Sequence, residues 1–296
     1  MENFLNVLVA GILLGGIYSL ASIGLNLIFG VVRIVNFAQG ELIMLAMYAT
    51  AALTIGIGLD PYLSIVVVVP ALFLLGVLLQ RLILQPLQGE SMMQIFATFG
   101  VLMIFQNLVT ALTRGENVSI DTVYGSTVIQ LGTVNISLVR LIVLVAVTLI
   151  AVGLNIWRRR SLAGKAIRAV AQDRQAARLM GIDVERTFML AFGIGAALAG
   201  LAGALLTPIY TLSPQIGGNF ILAAFAVVVL GGLGSVTGAF IGGFIVGIVE
   251  AFAGFYIDPV LKQAIWFLIF IIVLIVRPQG LLGQAGAEEV GLREQR

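Results

Sequence analysis

The sequence predicts an all-α, polytopic transmembrane helical bundle. Of its 296 residues, 60% are apolar and only 10% are charged, whereas charged residues make up about 25% of an ordinary soluble domain. The apolar runs are continuous rather than alternating, and residues 187–249 contain no charged side chain. Because backbone polar groups must be paired internally in lipid, such a chain spans the membrane as helices, and the continuous runs exclude a barrel.

Nine apolar segments are candidates for spanning helices, which need about 20 residues each. In chain order they are residues 7–32, 42–58, 62–80, 92–112, 138–157, 187–206, 220–230, 237–255 and 261–276. Pro70 lies inside the third segment and is expected to kink it, and Arg81 is expected to close it. The seventh segment is short, so we expect eight or nine spans, depending on whether residues 220–234 cross fully or re-enter.

The basic residues predict the orientation of the bundle. Of the 16 lysines and arginines, half lie in the loop 158–186, whereas Arg114, Arg140 and Lys262 lie toward the opposite face. Because basic loops stay in the cytoplasm, we expect the N-terminus outside and the C-terminus inside. The start of the chain has no basic region and no evident cleavage site, so we expect no removable signal peptide.

Residues 1–283 are expected to form a single transmembrane domain, followed by a polar, disordered cytoplasmic tail at 284–296. The loop at 113–137 would lie on the periplasmic side. Alternating residues on both sides of Gly132 predict a small β-hairpin within it.

The cytoplasmic loop 158–186 shows signs of ordered structure. Residues 163–172 are expected to form a short helix, Asp173 to cap a second helix and Gly181 to end it. The second helix would carry a small apolar face, made by Ala176, Ala177 and Met180. Such a face suits insertion into a groove of another protein. A loop that only sets topology would explain the charges but not the capped pattern, so docking is favoured.

Polar residues also follow the first segment, and they have two interpretations. Asn36, Gln39 and Glu41 would line the cytoplasmic end of a translocation pathway, since polar groups inside a membrane often mark one. Alternatively they form a helix N-terminus, where Asn caps and Glu complements the dipole. The two interpretations are compatible. Glu250, the other candidate buried carboxylate, is expected to pair with a basic residue on a neighbouring helix or to extend outward.

Many of the 35 glycines lie at helix-packing spacing. The Gly-x-x-x-Gly pairs are Gly11 with Gly15, Gly238 with Gly242, and Gly243 with Gly247. Close packing is their favoured role, and flexibility is the alternative. A glycine-rich run contains Gly231, Gly232, Gly234 and Gly238. It follows no strand and lacks the full spacing of a nucleotide fingerprint, and the chain has no P-loop motif for ATP.

The composition excludes several other functions. Cysteine and histidine are both absent, which removes disulfides, thiolate metal sites and the commonest general base, so neither a metal nor a cofactor is expected. A net charge of +2 is too small to argue for nucleic acid.

Four segments resemble, in the same order, the Liv-type family of ABC transporter permeases, which import branched-chain amino acids. They are residues 36–41, 161–182, 229–239 and 277–281. Within the second, Gln175-Ala176-Ala177 followed by Gly181 is similar to the EAA-x-x-x-G coupling motif of ABC importer permeases, with Gln in place of Glu. Gln39 stands where family members usually carry histidine, and unlike histidine it cannot be charged.

The resemblance implies a permease subunit in the bacterial inner membrane. This chain and a sister permease, identical or different, would enclose the pathway, and a periplasmic binding protein would deliver the solute. Two ATP-binding cassette ATPases would contact the coupling residues, namely Gln175, Ala176, Ala177, Met180 and Gly181. The glycines from Gly231 to Gly238 would serve as a hinge for alternating access. The chain itself would not be an enzyme.

Other functions remain as alternatives. Branched-chain amino acids are the solutes that the resemblance implies, but urea and short amides are carried by close relatives of the family. A secondary transporter or a facilitative channel is the second hypothesis, although the span centres are almost free of the ionisable groups that ion-coupled carriers use. An intramembrane enzyme is disfavoured, since only Glu41 and Glu250 could act as a carboxylate pair.

Overall fold

A computed structural model describes residues 2–122, 124–125, 127–131, 134–277 and 279–283. Within them the chain forms eleven α-helices and one β-hairpin. The helices are α1 (Glu2–Val32), α2 (Gln39–Ile57), α3 (Ile65–Leu79), α4 (Ser91–Thr113), α5 (Leu138–Arg160), α6 (Leu162–Gln172), α7 (Arg174–Leu179), α8 (Val184–Leu206), α9 (Ile216–Gly231), α10 (Val236–Tyr256) and α11 (Lys262–Val276). The predicted hairpin is confirmed as β1 (Val128–Leu131) and β2 (Val134–Ser137). The predicted tail at 284–296 lies outside the described residues.

Each of the nine predicted apolar segments corresponds to a helix, but not all are long. Among the described residues, seven helices are long and apolar enough to cross a membrane, namely α1, α2, α3 with its extension, α4, α5, α8 and α10. The other two, α9 and α11, have 16 and 15 residues. At a rise of 1.5 Å per residue they reach only about 24 Å, less than a hydrocarbon core of about 30 Å.

The third segment does not end at Arg81 as predicted. A π-helical turn at Gln80–Leu84 and a 3-10 turn at Gln85–Leu87 continue α3 beyond that residue. Arg81 is exposed while Leu84 is buried, and the side-chain amide of Gln94 donates to the Leu84 carbonyl. The helix therefore continues because its buried side keeps its packing while the charge points outward.

Close backbone packing joins α1 to α10, which run antiparallel. A Cβ added at Gly15 would lie 2.6 Å from the Phe244 Cα, and one added at Gly11 would lie 2.8 Å from the Ile248 Cα. On the other helix, a Cβ at Gly243 would lie 2.7 Å from the Ser19 Cα. The predicted packing role of these glycines is confirmed, because side chains would force the two backbones apart.

Helix α8 packs its small residues against α1, α2 and α3. A Cβ at Gly195 would meet Ile28, one at Gly203 would lie 2.5 Å from the Ala46 Cβ, and one at Gly200 would lie 3.0 Å from the Leu72 Cβ. By contrast, α4 exposes a row of large apolar side chains. Helices α1, α2, α8 and α9 therefore contribute most of the interior, and α4 lies at the periphery, where lipid or another subunit would cover it.

We predict that Gly15→Ala destabilises the bundle. The new methyl group would overlap backbone atoms of α10, and overpacking of this kind costs about 1–3 kcal/mol of unfolding free energy. The midpoint of thermal unfolding of the detergent-purified chain measures the effect. Gly153→Ala in α5 is the control, since nothing lies within 4 Å of its added Cβ, and alanine is the better helix former. Equal melting of both variants would contradict the close α1–α10 contact.

Candidate functional site

The predicted pathway residues lie together, deep inside the bundle. Asn36, Gln39 and Glu41 are each at most 1% exposed. The Gln39 side-chain amide donates to the Gly195 carbonyl over 3.2 Å, about 16 Å from the start of α8 and so near the middle of that helix. Helix α2 therefore begins deep in the bundle rather than at its surface, and the role of these residues in a translocation pathway stays a prediction.

Asn36 and Gln39 bond to their own chain. The Asn36 side-chain oxygen accepts from the Ala38 backbone N–H over 3.2 Å, and the Asn36 side-chain NH₂ donates to the Gln39 side-chain oxygen over 3.4 Å. Asn36 thus closes a turn before α2 rather than capping the helix, whose N-cap residue is Ala38. The pocket beside Asn36 measures about 10 Å³, room for about one water. These two side chains therefore hold the break between α1 and α2.

Glu41 differs from its two neighbours. It lies in the first turn of α2, and its carboxylate faces the first turn of α9, where a Cβ added at Gly217 would be 2.7 Å from both oxygens. One oxygen, Oε2, is buried without a hydrogen-bond partner among the described residues. The N-termini of α2 and α9 therefore meet inside the bundle around one carboxylate, and the positive ends of both helix dipoles favour that charge.

The glycine-rich run forms a clamped turn between α9 and α10. Gly232 and Gly234 have φ angles of 106° and 82°, which favour glycine. The Asn26 side-chain amide donates to the Ser235 carbonyl over 2.7 Å and its oxygen accepts from the Gly234 N–H. Gly231 and Gly238 are in backbone contact. The packing in this turn is tight. Sequence reasoning missed Asn26, although an amide within the apolar second half of α1 was an available signal.

The 277–281 segment packs on the same turn. The Leu281 and Leu282 N–H groups donate to the carbonyls of Leu230 and Gly231 over 2.9 and 3.0 Å. Gly280 and Gly283 approach Gly232 so closely that a Cβ on either would meet its backbone. Two of the four segments that resemble the permease family therefore form one structural unit.

Local hydrogen bonds order the loop 158–186 as predicted. The Ser161 hydroxyl caps α6, and the Asp173 carboxylate caps α7 by accepting from the N–H groups of Gln175 and Ala176 over 2.8 and 2.9 Å. Gly181, with φ of 80°, ends the α7 turn. The predicted helix, cap and stop are confirmed.

The loop is fastened to the C-terminal end of α1. The Arg174 guanidinium donates to the Val32 carbonyl over 2.7 Å and lies 5.0 Å from the Phe188 ring. In the opposite direction, the guanidinium of Arg33, which follows α1, donates to the Ala171 carbonyl in α6 over 3.1 Å. A force applied to the loop would therefore act on α1 as well as on α5 and α8, which it joins.

The apolar face of α7 differs from the predicted one. Ala177 is 4% exposed and belongs to the core, so its assignment to a docking face was wrong. The short helix turns this residue inward toward its own loop. Leu179 and Met180 are 89% and 82% exposed, and Gln175, Ala176 and Gly181 are exposed beside them. The exposed apolar face is thus made by Ala176, Leu179 and Met180.

Glu250 has the basic partner that the sequence suggested. Its carboxylate lies 3.1 Å from the Lys262 ammonium of α11, and the Tyr18 hydroxyl donates to it over 2.5 Å. Neither the ion pair nor the hydrogen bond of Glu250 involves Glu41, the other candidate carboxylate. The partner could not be chosen from the sequence, because it depends on how α11 returns against α10.

Comparisons with known proteins agree on one family. The model of the branched-chain amino acid transport system permease component matches residues 7–274. The chain is 32% identical to the high-affinity branched-chain amino acid transport system permease protein LivH of Escherichia coli strain K12, over 97% of this chain and 98% of the relative.

Two further relatives match along most of their length. BraD of Pseudomonas aeruginosa, which carries the same description, is 33% identical over 97% of this chain and 98% of its own. A probable branched-chain amino acid transport permease, LivH of Methanocaldococcus jannaschii, is 29% identical over 94% and 92%. No solved structure matches the chain.

We predict that Asn26→Leu loosens the α9–α10 turn. The substitution removes the partner of the part-buried Gly234 N–H, and an unpaired group of this kind costs about 1–3 kcal/mol. The Ser235 carbonyl loses its bond from Asn26 but keeps the Ala239 N–H. The thermal unfolding midpoint should fall clearly below that of the unchanged chain. Asn107→Leu is the control, because Asn107 is exposed and bonds only within its own helix. Equal midpoints for the two variants would show that the turn does not need Asn26.

Proposed function

The chain belongs to the branched-chain amino acid transport system permease family, and from this premise we propose that it is the membrane-spanning subunit of an ABC importer for branched-chain amino acids. The full-length relatives are described as permeases for these solutes. This chain has no P-loop motif, so ATP hydrolysis is assigned to separate ATPase subunits.

The exposed apolar face of α7 is the observation that carries the coupling role. Leu179 and Met180 project from a loop that is otherwise capped and hydrogen-bonded. Adjacent large apolar side chains at this exposure suit an interaction surface, and a groove on an ATPase subunit would cover them. Because Arg174 ties the loop to Val32, a displaced loop would pull on α1 and α8 together.

We assign the loop 158–186 to the cytoplasm and propose nine crossings, with the N-terminus in the periplasm. The short helix α9 begins beside Glu41 in the interior and ends beside Gly30 and Asn26, close to the loop end of α1. The stretch 207–215 leads from the end of α8 down to α9. Together they make one crossing, which supports the higher of the two predicted counts.

The partners follow from this assignment. A second permease subunit, identical or related, would complete the pathway and cover apolar surface such as that of α4. A periplasmic binding protein would deliver the solute to the end opposite the loop, and two ATPases would act on the two coupling loops.

We predict that a Leu179→Asp, Met180→Asp double variant loses the ATPase. Removing apolar anchors from the centre of an interface costs 2 kcal/mol or more, so co-purified ATPase should fall by at least about tenfold. The permease should still fold, since both side chains are exposed. Ala177→Arg is a poorer test, because Ala177 is buried in the loop itself.

Val260→Asp is the matched control for this experiment. Val260 is 86% exposed and lies in the α10–α11 turn at the opposite end. If the double variant retains the ATPase, Leu179 and Met180 do not form the coupling surface, and a carrier or a channel is favoured.

A transport measurement tests the proposed solute. In proteoliposomes that hold the permease pair and its ATPases, with binding protein outside, labelled L-leucine should accumulate only when ATP is enclosed. If the proteoliposomes take up urea but not leucine, the proposed solute is wrong and urea or short amides take its place. If an ion gradient drives uptake in the absence of ATP, the chain is a secondary transporter and not part of an ABC importer.

A further inference from the structure

A large cavity lies at the end of the bundle opposite the loop 158–186. Its volume is about 1170 Å³, slightly above the usual range for small-molecule sites. Its wall comes from the first half of α1, the start of α9, the end of α10, the start of α11 and the stretch 207–215. In the proposed orientation this is the periplasmic end, where a delivered solute would arrive.

Charged groups of both signs line this cavity. Glu250 is 3% exposed and bonds to Lys262 and Tyr18, and all three line the wall. Arg140, from the start of α5, lines it as well. In the described part of the chain no carboxylate lies within ion-pair distance of Arg140. The cavity therefore offers one carboxylate and two cations.

A second feature is a buried polar atom without a partner. Trp266 lines the cavity and is 5% exposed, and its indole N–H finds no acceptor among the described residues. A buried donor left unpaired is unfavourable by itself, and a ligand oxygen would satisfy it. Phe220 and Ala223, both 4% exposed, add apolar wall close to these polar groups.

We propose that this cavity is the site at which the permease receives the zwitterion of an apolar amino acid. The solute ammonium would replace the Lys262 ammonium at Glu250, while Lys262 and Arg140 would bind the solute carboxylate. The aliphatic side chain would lie against Phe220 and Trp266. This inference rests on the proposed import function and adds to it a recognition site in the permease itself.

The electrostatics favour a zwitterion over urea or an amide. Separating Lys262 from a buried carboxylate is costly unless another cation takes its place. An ammonium group does so, whereas an uncharged solute does not. Lys262 can make the exchange, because its side chain is 43% exposed and flexible. The alternative is a purely structural tether between α10 and α11.

Fluorescence of Trp266 distinguishes these two roles. The chain has two tryptophans, so Trp157→Phe leaves Trp266 as the only one. The full-length single-tryptophan chain in nanodiscs is titrated with L-leucine, and with urea for comparison. We expect a saturable change in emission with leucine and none with urea. Glu250→Gln in this background should raise the half-saturating leucine concentration by at least about tenfold, as for loss of one charged hydrogen bond.

Glu116→Gln is the matched control, because Glu116 is exposed in the loop after α4 at the same end and does not line the cavity. It should leave the leucine titration unchanged. If Glu250→Gln does not fold, Arg140→Gln replaces it, and the unmutated site still reports leucine directly.

Two results would overturn the proposal. One is the absence of any leucine response in a chain whose complex transports leucine, which refutes this site and leaves the import function standing. The other is an unchanged leucine titration in Glu250→Gln with a lowered unfolding midpoint, which assigns the ion pair to the structural tether. A complex that transports no leucine at all would instead refute the proposed function.

Discussion

The close contact between the backbones of α1 and α10 is the interaction on which the rest of the bundle depends. Lipid offers no hydrophobic drive for helices to associate, so attraction comes from packing at short range. Gly15 and Gly243 allow that range. Once the two helices are this close, Tyr18 reaches Glu250 at one end, and Asn26 reaches the α9–α10 turn at the other. One contact thus positions both the ion pair and the clamped turn.

Irregular backbone inside the bundle accounts for several of its buried amide side chains. Non-helical backbone at membrane depth is tolerated only where protein covers it and pairs its polar groups. The break before α2 is held by Asn36 and Gln39, and the turn after α9 by Asn26. These amides serve the backbone. Glu41 is different, since one of its oxygens has no partner among the residues that the structure describes, and such groups in membrane proteins tend to be functional.

Local features were predictable from the sequence, and tertiary ones were not. Apolar runs and charges gave all nine helical segments, and short-range chemistry gave the Asp173 cap and the Gly181 stop. The burial of Ala177 depends on which side of a six-residue helix meets α6 and α8, which no local pattern encodes. The depth of Gln39 likewise depends on its bond to Gly195, far along the chain. The sequence therefore identified candidate residues more reliably than it predicted the depth and the neighbours of each residue in the fold.

The first turns of α9 separate the cavity from Glu41. Ile216, Asn219 and Phe220 line the cavity, whereas Gly217, on the other side of the helix, lies against the Glu41 carboxylate. The opposite end of α9 is fixed by the bonds around Gly232 and Asn26. In an importer with alternating access, a solute held at Glu250 could approach Glu41 only if the N-terminal half of α9 shifts. In the proposed importer the loop 158–186 would drive such a shift through α1 and α8, because both helices connect it to the interior where α2 and α9 begin.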